Sequence, residues 1–524
     1  MSTHNTSRRG FLKGAVGLGA AAAFSRLTGW RAAEAAAFVA PQTGAAAPKF
    51  NVLFLMSDDM RPELGCYGNA IAHTPTIDGL AKAGVMFERG YCQYPLCCPA
   101  RTSMLTGRHV ITTGVYGNRT WFGDLHPEFI SMPKWFKQHG YATLRTGKIF
   151  HGGIDDTEAW SEGGERRTLA GADNSDAAAN VPARRPGAVE LSELARRNQQ
   201  AARNAGMTNA QYSDRAIVLE GDGEGHGDYS TADRAIDYLQ RYKDQPFFLG
   251  CGFVKPHSPP TAPQRFYDMV PLEKIQLPVD FAPHRTLPEG FPEGSLRPRN
   301  ADLFIGRDAS PEDAKKMTQA YLASIAWADW NMGRVIAELD RLGLREKTII
   351  VFSADHGYQL GEKGKWSKAG SLWEEGARIP FFIAAPRAKG NGQKCTRPVE
   401  ALNFYPTLVE LCGLPVADGQ EGRSMVPLLD NPKAEWNHPA HTVWSEDGRT
   451  LTGIGVRVER WRYAEYVLGG PMLLDMENDP HQLKNLAHDP KYAEVTKQMA
   501  GLVQKYKERA KAAPSAESVP AANP

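Results

Sequence analysis

Cysteine, net charge and long apolar runs are all scarce in this chain, and each scarcity excludes a class of protein. Seven cysteines in 524 residues, at positions 66, 92, 97, 98, 251, 395 and 412, are too few for a disulfide-built scaffold. Lysine and arginine number 61 against 59 acidic residues, a formal net charge of +2. A broad grip on nucleic acid needs a strongly basic domain or face, so no nucleic-acid partner is expected. Beyond the amino-terminal region no stretch approaches the roughly 20 apolar residues that span a bilayer, which predicts no transmembrane segment. No internal repeat is present, and 42% hydrophobic with 23% charged residues excludes general disorder. A chain of this length buries a large core without covalent staples.

The amino terminus reads Ser7-Arg8-Arg9-Gly10-Phe11-Leu12-Lys13, then an apolar Ala/Gly-rich run over 15–24 and a small-residue stretch over 31–37. A twin arginine, a mildly hydrophobic run about half a bilayer long and an Ala-x-Ala-like end form a twin-arginine (Tat) export signal over 1–37. The Tat export machinery is therefore an expected partner, and the periplasm or the medium around a bacterial cell is the expected location. Folding in the cytoplasm, with any modification or cofactor loading, would precede export.

From Lys49 onward, short apolar runs at 51–56, 141–145, 246–253 and 348–353 read as strands. Helices are predicted over 76–87, 99–107, 133–139, 231–242 and 313–342. Continuous apolar strands alternating with helices predict an α/β fold, a large central, mostly parallel sheet sandwiched by helices. The catalytic domain is placed at 49–437. Within it, 155–227 is polar, Ala-rich and charge-mixed and reads as a variable insertion or lid, and 256–298 as a Pro-rich connection. Alternating segments after residue 437 and a final helix near 492–511 predict a smaller C-terminal subdomain, 438–511, of antiparallel sheet plus helix. Residues 512–524 read as a disordered tail.

Two acidic clusters, Asp58-Asp59 and Asp355-His356, stand at the carboxyl ends of two predicted strands. Ligands of open α/β sheets bind at that edge, which brings both clusters to one place. Taken singly, Asp-Asp also suits a helix cap and Asp-His a turn; two such pairs at strand ends do not share that explanation. Three packed carboxylates repel and would be driven toward protonation without a cation. Oxygen-rich ligands favour calcium or magnesium over zinc, while one histidine leaves manganese or zinc open. Cys97, in Leu96-Cys97-Cys98-Pro99-Ala100-Arg101-Thr102-Ser103-Met104-Leu105-Thr106-Gly107-Arg108, precedes a predicted helix whose free N–H groups favour an anion. A plain thiolate there is a candidate nucleophile, and an isolated buried cysteine is its ordinary alternative. No second Cys-x-x-Cys occurs at zinc-ligand spacing.

The Cys-x-Pro-x-Arg string followed by Leu-Thr-Gly-Arg resembles the signature of type I sulfatases of the alkaline phosphatase-like superfamily, matched here at Cys97, Pro99, Arg101, Leu105, Thr106, Gly107 and Arg108. Ala100 stands where many members have serine. Further similar blocks follow in order: Asp58-Asp59, Thr146-Gly147-Lys148, Lys255-Pro256-His257, Asp355-His356-Gly357 and the segment from Leu474 to Pro480. The resemblance covers nearly everything from about residue 49 to 490. Lys148-Ile149-Phe150-His151, Asp355-His356-Gly357 and Trp366-Ser367-Lys368 look most like the iduronate-2-sulfatase branch.

The resemblance implies that Cys97 is converted to formylglycine by a formylglycine-generating or sulfatase-maturating enzyme. It also implies one Ca²⁺, with Mg²⁺ or Mn²⁺ as alternatives, held by Asp58, Asp59, Cys97, Asp355 and His356. A metal-activated hydroxyl of the hydrated aldehyde would attack sulfur. Arg101, Lys148 and Lys368 would surround the sulfate oxygens, and His257 would protonate the leaving oxygen. His151 would deprotonate the second hydroxyl and so release sulfate. Glu362 and Trp366 are expected to shape a loop. The substrate implied is a sulfated saccharide, a 2-O-sulfated uronic acid or similar sugar, with its choice made in loops such as 155–227. A phosphonate or phosphodiester hydrolase and a choline-sulfatase-like enzyme are the alternatives using the same residues. A non-catalytic carbohydrate binder on this fold would have no need of the intact cysteine motif and carboxylates.

Overall fold

Runs without polar residues can be buried on both faces, and this chain uses them so. In the computed structural model, which describes residues 49–168 and 191–512, β1 (Asn51–Ser57) is buried at every position inside an eight-stranded sheet. It pairs in parallel with β4 (Phe247–Phe253) on one side and β5 (Thr348–Ala354) on the other. β3 (Ala142–Gly147) extends the sheet beyond β4, also in parallel. Beyond β5 lie β6 (Phe381–Ala384), β2 (Val85–Tyr91) and β7 (Lys394–Glu400). β6 runs antiparallel to both β5 and β2, and the short Arg378–Ile379 strand also pairs antiparallel with β2. The sheet is thus mixed, mostly parallel, with two reversed strands, β6 and the short Arg378–Ile379.

The register of this sheet sets the site. Ser57 lies opposite Ala354 across the β1–β5 pair, so Asp58-Asp59 and Asp355-His356 leave the sheet side by side. α1 (Pro75–Ala83) ends earlier than the predicted 76–87, because Gly84 takes an extended conformation and the chain enters β2 at Val85. A Cβ at Gly84 would meet the Ile383 carbonyl oxygen at 2.5 Å, so β6 closes off any helical continuation with a side chain there. α2 (Cys97–Thr106) begins at the motif cysteine and stops at Gly107, which takes φ +66°. α3 (Gly227–Tyr242) packs on β3 and β4 and against α4 (Pro311–Arg341), whose first turn is capped by the Ser310 side chain.

The stretch 155–227 is built into the fold at its described ends. Asp155 and Trp160 are buried, Leu144 bridges Glu162, and Ile217–Leu219 pairs with Thr261–Pro263 in a separate two-stranded sheet. Charges of this polar stretch are matched inside: Arg145 meets Glu165 at 2.9 Å and Asp155 at 3.7 Å. The helix Glu193–Ala202 forms as expected of a weak, polar segment. Residues 169–190, the export signal of 1–37 and the tail from 513 to 524 lie outside the described residues.

The C-terminal part forms its own antiparallel sheet of β8 (Ala440–Trp444), β9 (Gly453–Arg457), β10 (Trp461–Tyr466) and β11 (Gly470–Asp475). α5 (Ala493–Ala512) packs on it. Its core of Val456, Leu473, Val503 and Tyr506 also takes in Tyr94 and Trp373 from the larger part. All seven cysteines are free. Among the described residues no helix is long and apolar enough to cross a membrane.

Candidate active site

The carboxyl edge of the central sheet gathers the predicted residues from six places in the chain. Asp58 and Asp59 follow β1, Lys148 follows β3, His257 sits on the turn after β4, and Asp355 and His356 follow β5. Cys97 and Arg101 come from α2, every residue of which is buried. Lys368 arrives on the loop after Asp355.

Cys97 is the first residue of α2 and is 2% exposed. Its Sγ lies 3.4 Å from Asp58 Oδ1 and 3.3 Å from His356 Nε2. Asp355 Oδ1 accepts from the Asp59 and His356 N–H groups at 3.2 and 3.0 Å, and its Oδ2 from Arg101 Nε at 2.9 Å. Arg101 Nη1 donates to the carbonyl oxygens of Lys148 (2.6 Å) and Ile149 (3.0 Å). Its Nη2 is buried, 3.7 Å from Asp58 Oδ2 and without a hydrogen-bond partner among the described residues. Lys148 Nζ donates to Asp58 Oδ2. Asp59 holds φ +60°, and the Tyr321 hydroxyl fixes it by donating to its carbonyl at 2.6 Å.

A second set forms around Lys368, whose Nζ reaches Asp59 Oδ2 at 2.9 Å and His257 Nε2 at 3.2 Å. The ammonium can only donate, so His257 Nε2 accepts, and the ring proton is on Nδ1, toward the Ser258 carbonyl at 2.7 Å. Lys255, in the motif beside His257, donates to the carbonyls of His257 (3.1 Å) and Pro259 (2.9 Å) and so holds this turn. His151 is buried close to Lys148, Asp58 and Arg101, but its Nδ1 has no hydrogen-bond partner among the described residues. Glu362 accepts from Arg61 at 2.6 Å and from the Leu360 N–H at 2.7 Å, which shapes the loop.

The electrostatics are those of a site that wants a cation. Burial opposes the charged form of Asp58, but Lys148 and Arg101 outweigh it and hold the carboxyl well below its usual range. Burial pushes Asp59 well above that range; Lys368 opposes this, while Asp58, Asp302 and Asp355 add to it. Burial, reinforced by Asp58, pushes the Cys97 thiol well up, so an unmodified Cys97 is a protonated thiol rather than a ready nucleophile. Burial and Lys148 hold His151 neutral, and burial and Lys368 do the same for His257.

Among the described residues two overlapping ligand groups occur, Asp58–Cys97–Asp355–His356 and Asp58–Asp59–Cys97–His257, with the ligand atoms of each within 4.8 Å of one another. Asp59 Oδ1 is buried with no hydrogen-bond partner among the described residues. Carboxylate oxygens with one imidazole and an orphaned acceptor fit a hard divalent ion. Asp302 escaped the sequence reading. It lies beyond the Pro-rich connection, in no recognisable motif, yet meets Lys368 Nζ at 3.0 Å.

The carboxyl edge of the mixed sheet thus gathers carboxylates, a cysteine and fixed cations at one buried place, and the fold around it is that of the alkaline phosphatase-like hydrolases. The phosphonate monoester hydrolase of Agrobacterium radiobacter shares that fold, with a TM-score of 0.69 and 21% identity over 88% of this chain and 96% of its own. The Sulfatase family model matches residues 50–414, and that for the C-terminal region of N-sulphoglucosamine sulphohydrolase matches 361–509. A sulfatase of Formosa agariphila is 30% identical over 87% of both chains. Mouse iduronate 2-sulfatase is 31% identical over 86% of this chain and 93% of its own. The chain belongs to the sulfatase family and is a sulfuric ester hydrolase.

Proposed function

We propose that this protein is an exported sulfatase that removes sulfate from a carbohydrate, with a 2-O-sulfated uronic acid as the expected sugar. Cys97, matured to formylglycine, would carry the nucleophile. The observation that carries the reading is the seat of Cys97, buried at the start of α2 against Asp58 and His356 with fixed cations around it. The similarity to iduronate 2-sulfatase supports the choice of sugar. The twin arginine at Arg8-Arg9 supports export.

Asp58, Asp59, Cys97, Asp355 and His356 would hold the cation, calcium by preference, which supplies the charge that lowers the pKa of a hydroxyl on matured residue 97. Lys148 and Lys368 act as point charges toward the non-bridging sulfate oxygens. Arg101 spends Nε and Nη1 on Asp355 and the backbone, which fixes a metal ligand and leaves Nη2 for the anion. Protonation of the leaving oxygen falls to the Lys368–His257 pair: the proton starts on the Lys368 ammonium, passes along its hydrogen bond to His257 Nε2, and from Nε2–H goes to the leaving oxygen, which leaves Lys368 neutral and His257 as it began. His151, neutral and with an uncommitted Nδ1, is the base for the second hydroxyl of residue 97.

The charge balance supports a monoanionic substrate. Four carboxylates (Asp58, Asp59, Asp302, Asp355) face three fixed cations (Arg101, Lys148, Lys368). With a divalent ion, and residue 97 still neutral, the site would carry one positive charge in excess, which complements a sulfate monoester as it binds. A phosphonate monoester is also a monoanion, and the likeness to the Agrobacterium enzyme makes it the second reading. Turnover of a 2-O-sulfated uronic acid, choline sulfate and a phosphonate monoester on one preparation separates these outcomes. Mass spectrometry of the Cys97 peptide is expected to show formylglycine, and Cys97→Ala to abolish turnover with folding intact. An unmodified thiol in fully active protein would sink the mechanism, as would sulfatase activity retained by Cys97→Ala.

A further inference from the structure

Lys368 has three N–H bonds and three acceptors. Two of them, Asp59 and His257, belong to the site already described, and the third is Asp302 Oδ1 at 3.0 Å. The other oxygen of Asp302 accepts from the hydroxyl of Ser367, the residue preceding Lys368. One buried carboxylate thus grips both the backbone neighbourhood and the head group of the lysine.

The segment bearing Asp302 is itself pinned to the same loop. Asn300 Oδ1 accepts from the Trp366 N–H at 2.8 Å, Leu303 N–H donates to the Trp366 carbonyl at 3.3 Å, and Phe304 packs on the Trp366 ring with centroids 4.8 Å apart. Phe304 takes φ +53°, a strained conformation for a bulky residue, and Asp214 secures it by accepting from its N–H at 2.6 Å and from Arg307 at 2.7 Å. Strain of this kind persists only where the surroundings over-determine the chain, so the placement of Asp302 is specified rather than incidental.

We infer that Asp302 is a positioning residue for the leaving-group step: it aims the Lys368 ammonium at His257 Nε2, so that one Lys368 proton passes to Nε2 and from there to the departing oxygen, leaving Lys368 neutral. The inference rests on the function proposed above and goes beyond it by adding a residue outside the family-like motifs. Without Asp302, Lys368 keeps Asp59 as its anionic partner and turns away from His257. The loss is then expected only where the leaving oxygen needs a proton: an alkoxide leaves poorly, whereas a nitrophenolate leaves unaided.

The test compares matured wild type with Asp302→Asn on a sugar or other alkyl sulfate and on an aryl sulfate with a nitrophenol leaving group. Asp302→Asn is expected to lower kcat for the alkyl ester at least about tenfold more than for the aryl ester, with KM for both within about twofold, since general acid catalysis contributes roughly 10²–10⁴-fold in all. Ser367→Ala, which frees one oxygen of Asp302, is expected to show the same split at smaller size. It carries the test if Asp302→Asn does not fold. Equal losses on the two esters in the folded variants, or no loss on either, would overturn the inference. A matured wild type that hydrolyses neither ester would instead overturn the functional reading itself.

Discussion

Arg101 offers the sharpest separation of structure from chemistry in this site. Its guanidinium is fully buried, pairs with Asp355 at 2.9 Å and donates to two backbone carbonyls. Arg101→Ala strands a buried carboxylate, and breaking one side of such a pair costs about 3–5 kcal/mol. Each carbonyl left without a donor costs roughly 1–3 kcal/mol, although losses within one network overlap rather than add. The expected destabilisation is therefore about 4–6 kcal/mol, a large part of the ~5–15 kcal/mol that holds a typical domain together. Urea unfolding in the presence of a calcium chelator measures it directly. Added calcium should recover part of the loss, because a cation beside Asp355 replaces some of the missing charge. Arg101→Lys keeps the charge without the fork that spans Asp355 and the carbonyls, and should fall between wild type and alanine. A loss below about 1.5 kcal/mol for Arg101→Ala in chelator would refute this account, since it is less than half the expected cost of a broken buried pair.

Chelation of wild type should abolish turnover and lower the melting temperature, with both restored by calcium; ligand at a hundred times its Kd stabilises by ~2.7 kcal/mol. Unchanged turnover after exhaustive chelation would remove the cation from the mechanism. Away from the site, Asp329 on α4 accepts the Ile77 and Thr76 N–H groups at the start of α1, at 2.7 and 3.1 Å. Burial pushes its carboxyl up to about 7, although these bonds oppose the shift. The folded-state pKa exceeds the unfolded one, so the contribution of Asp329 is fully present below about pH 4 and is lost as pH rises through about 7. Asp329→Asn, which cannot ionise, should therefore gain roughly 2–3 kcal/mol on wild type between pH 5 and pH 8 in urea unfolding. A pH-independent difference between the two proteins would contradict this.

Much of the fold was legible because burial writes itself into composition. β1 and β5 are runs of apolar residues whose first polar residues beyond the strand are those of the site. The helix boundary at Ala83 was not legible, because the extended Gly84 that follows it is pressed against β6, a segment some 300 residues away, with no room for a side chain. The reversed direction of β6 was equally hidden: strand pattern records burial, not the sense in which a neighbour runs. The buried ends of 155–227 were missed for a related reason, since a charge matched by Arg145 looks in sequence like one facing water.

What the sequence by itself determined is the set of reactive groups: carboxylates just past two buried strands, a cysteine opening a proline-bearing helix, and the basic residues in their motifs. Side-chain type and local spacing carry that chemistry, and both are written along the chain. Only the tertiary structure decided which groups share a partner. It put Lys368 between Asp59 and His257, turned most of Arg101 toward Asp355 and the backbone, and brought in Asp302 from a segment with no motif. Ion pairs form between whatever the sheet register and loop packing bring within about 3 Å, and such proximity leaves no trace in local sequence.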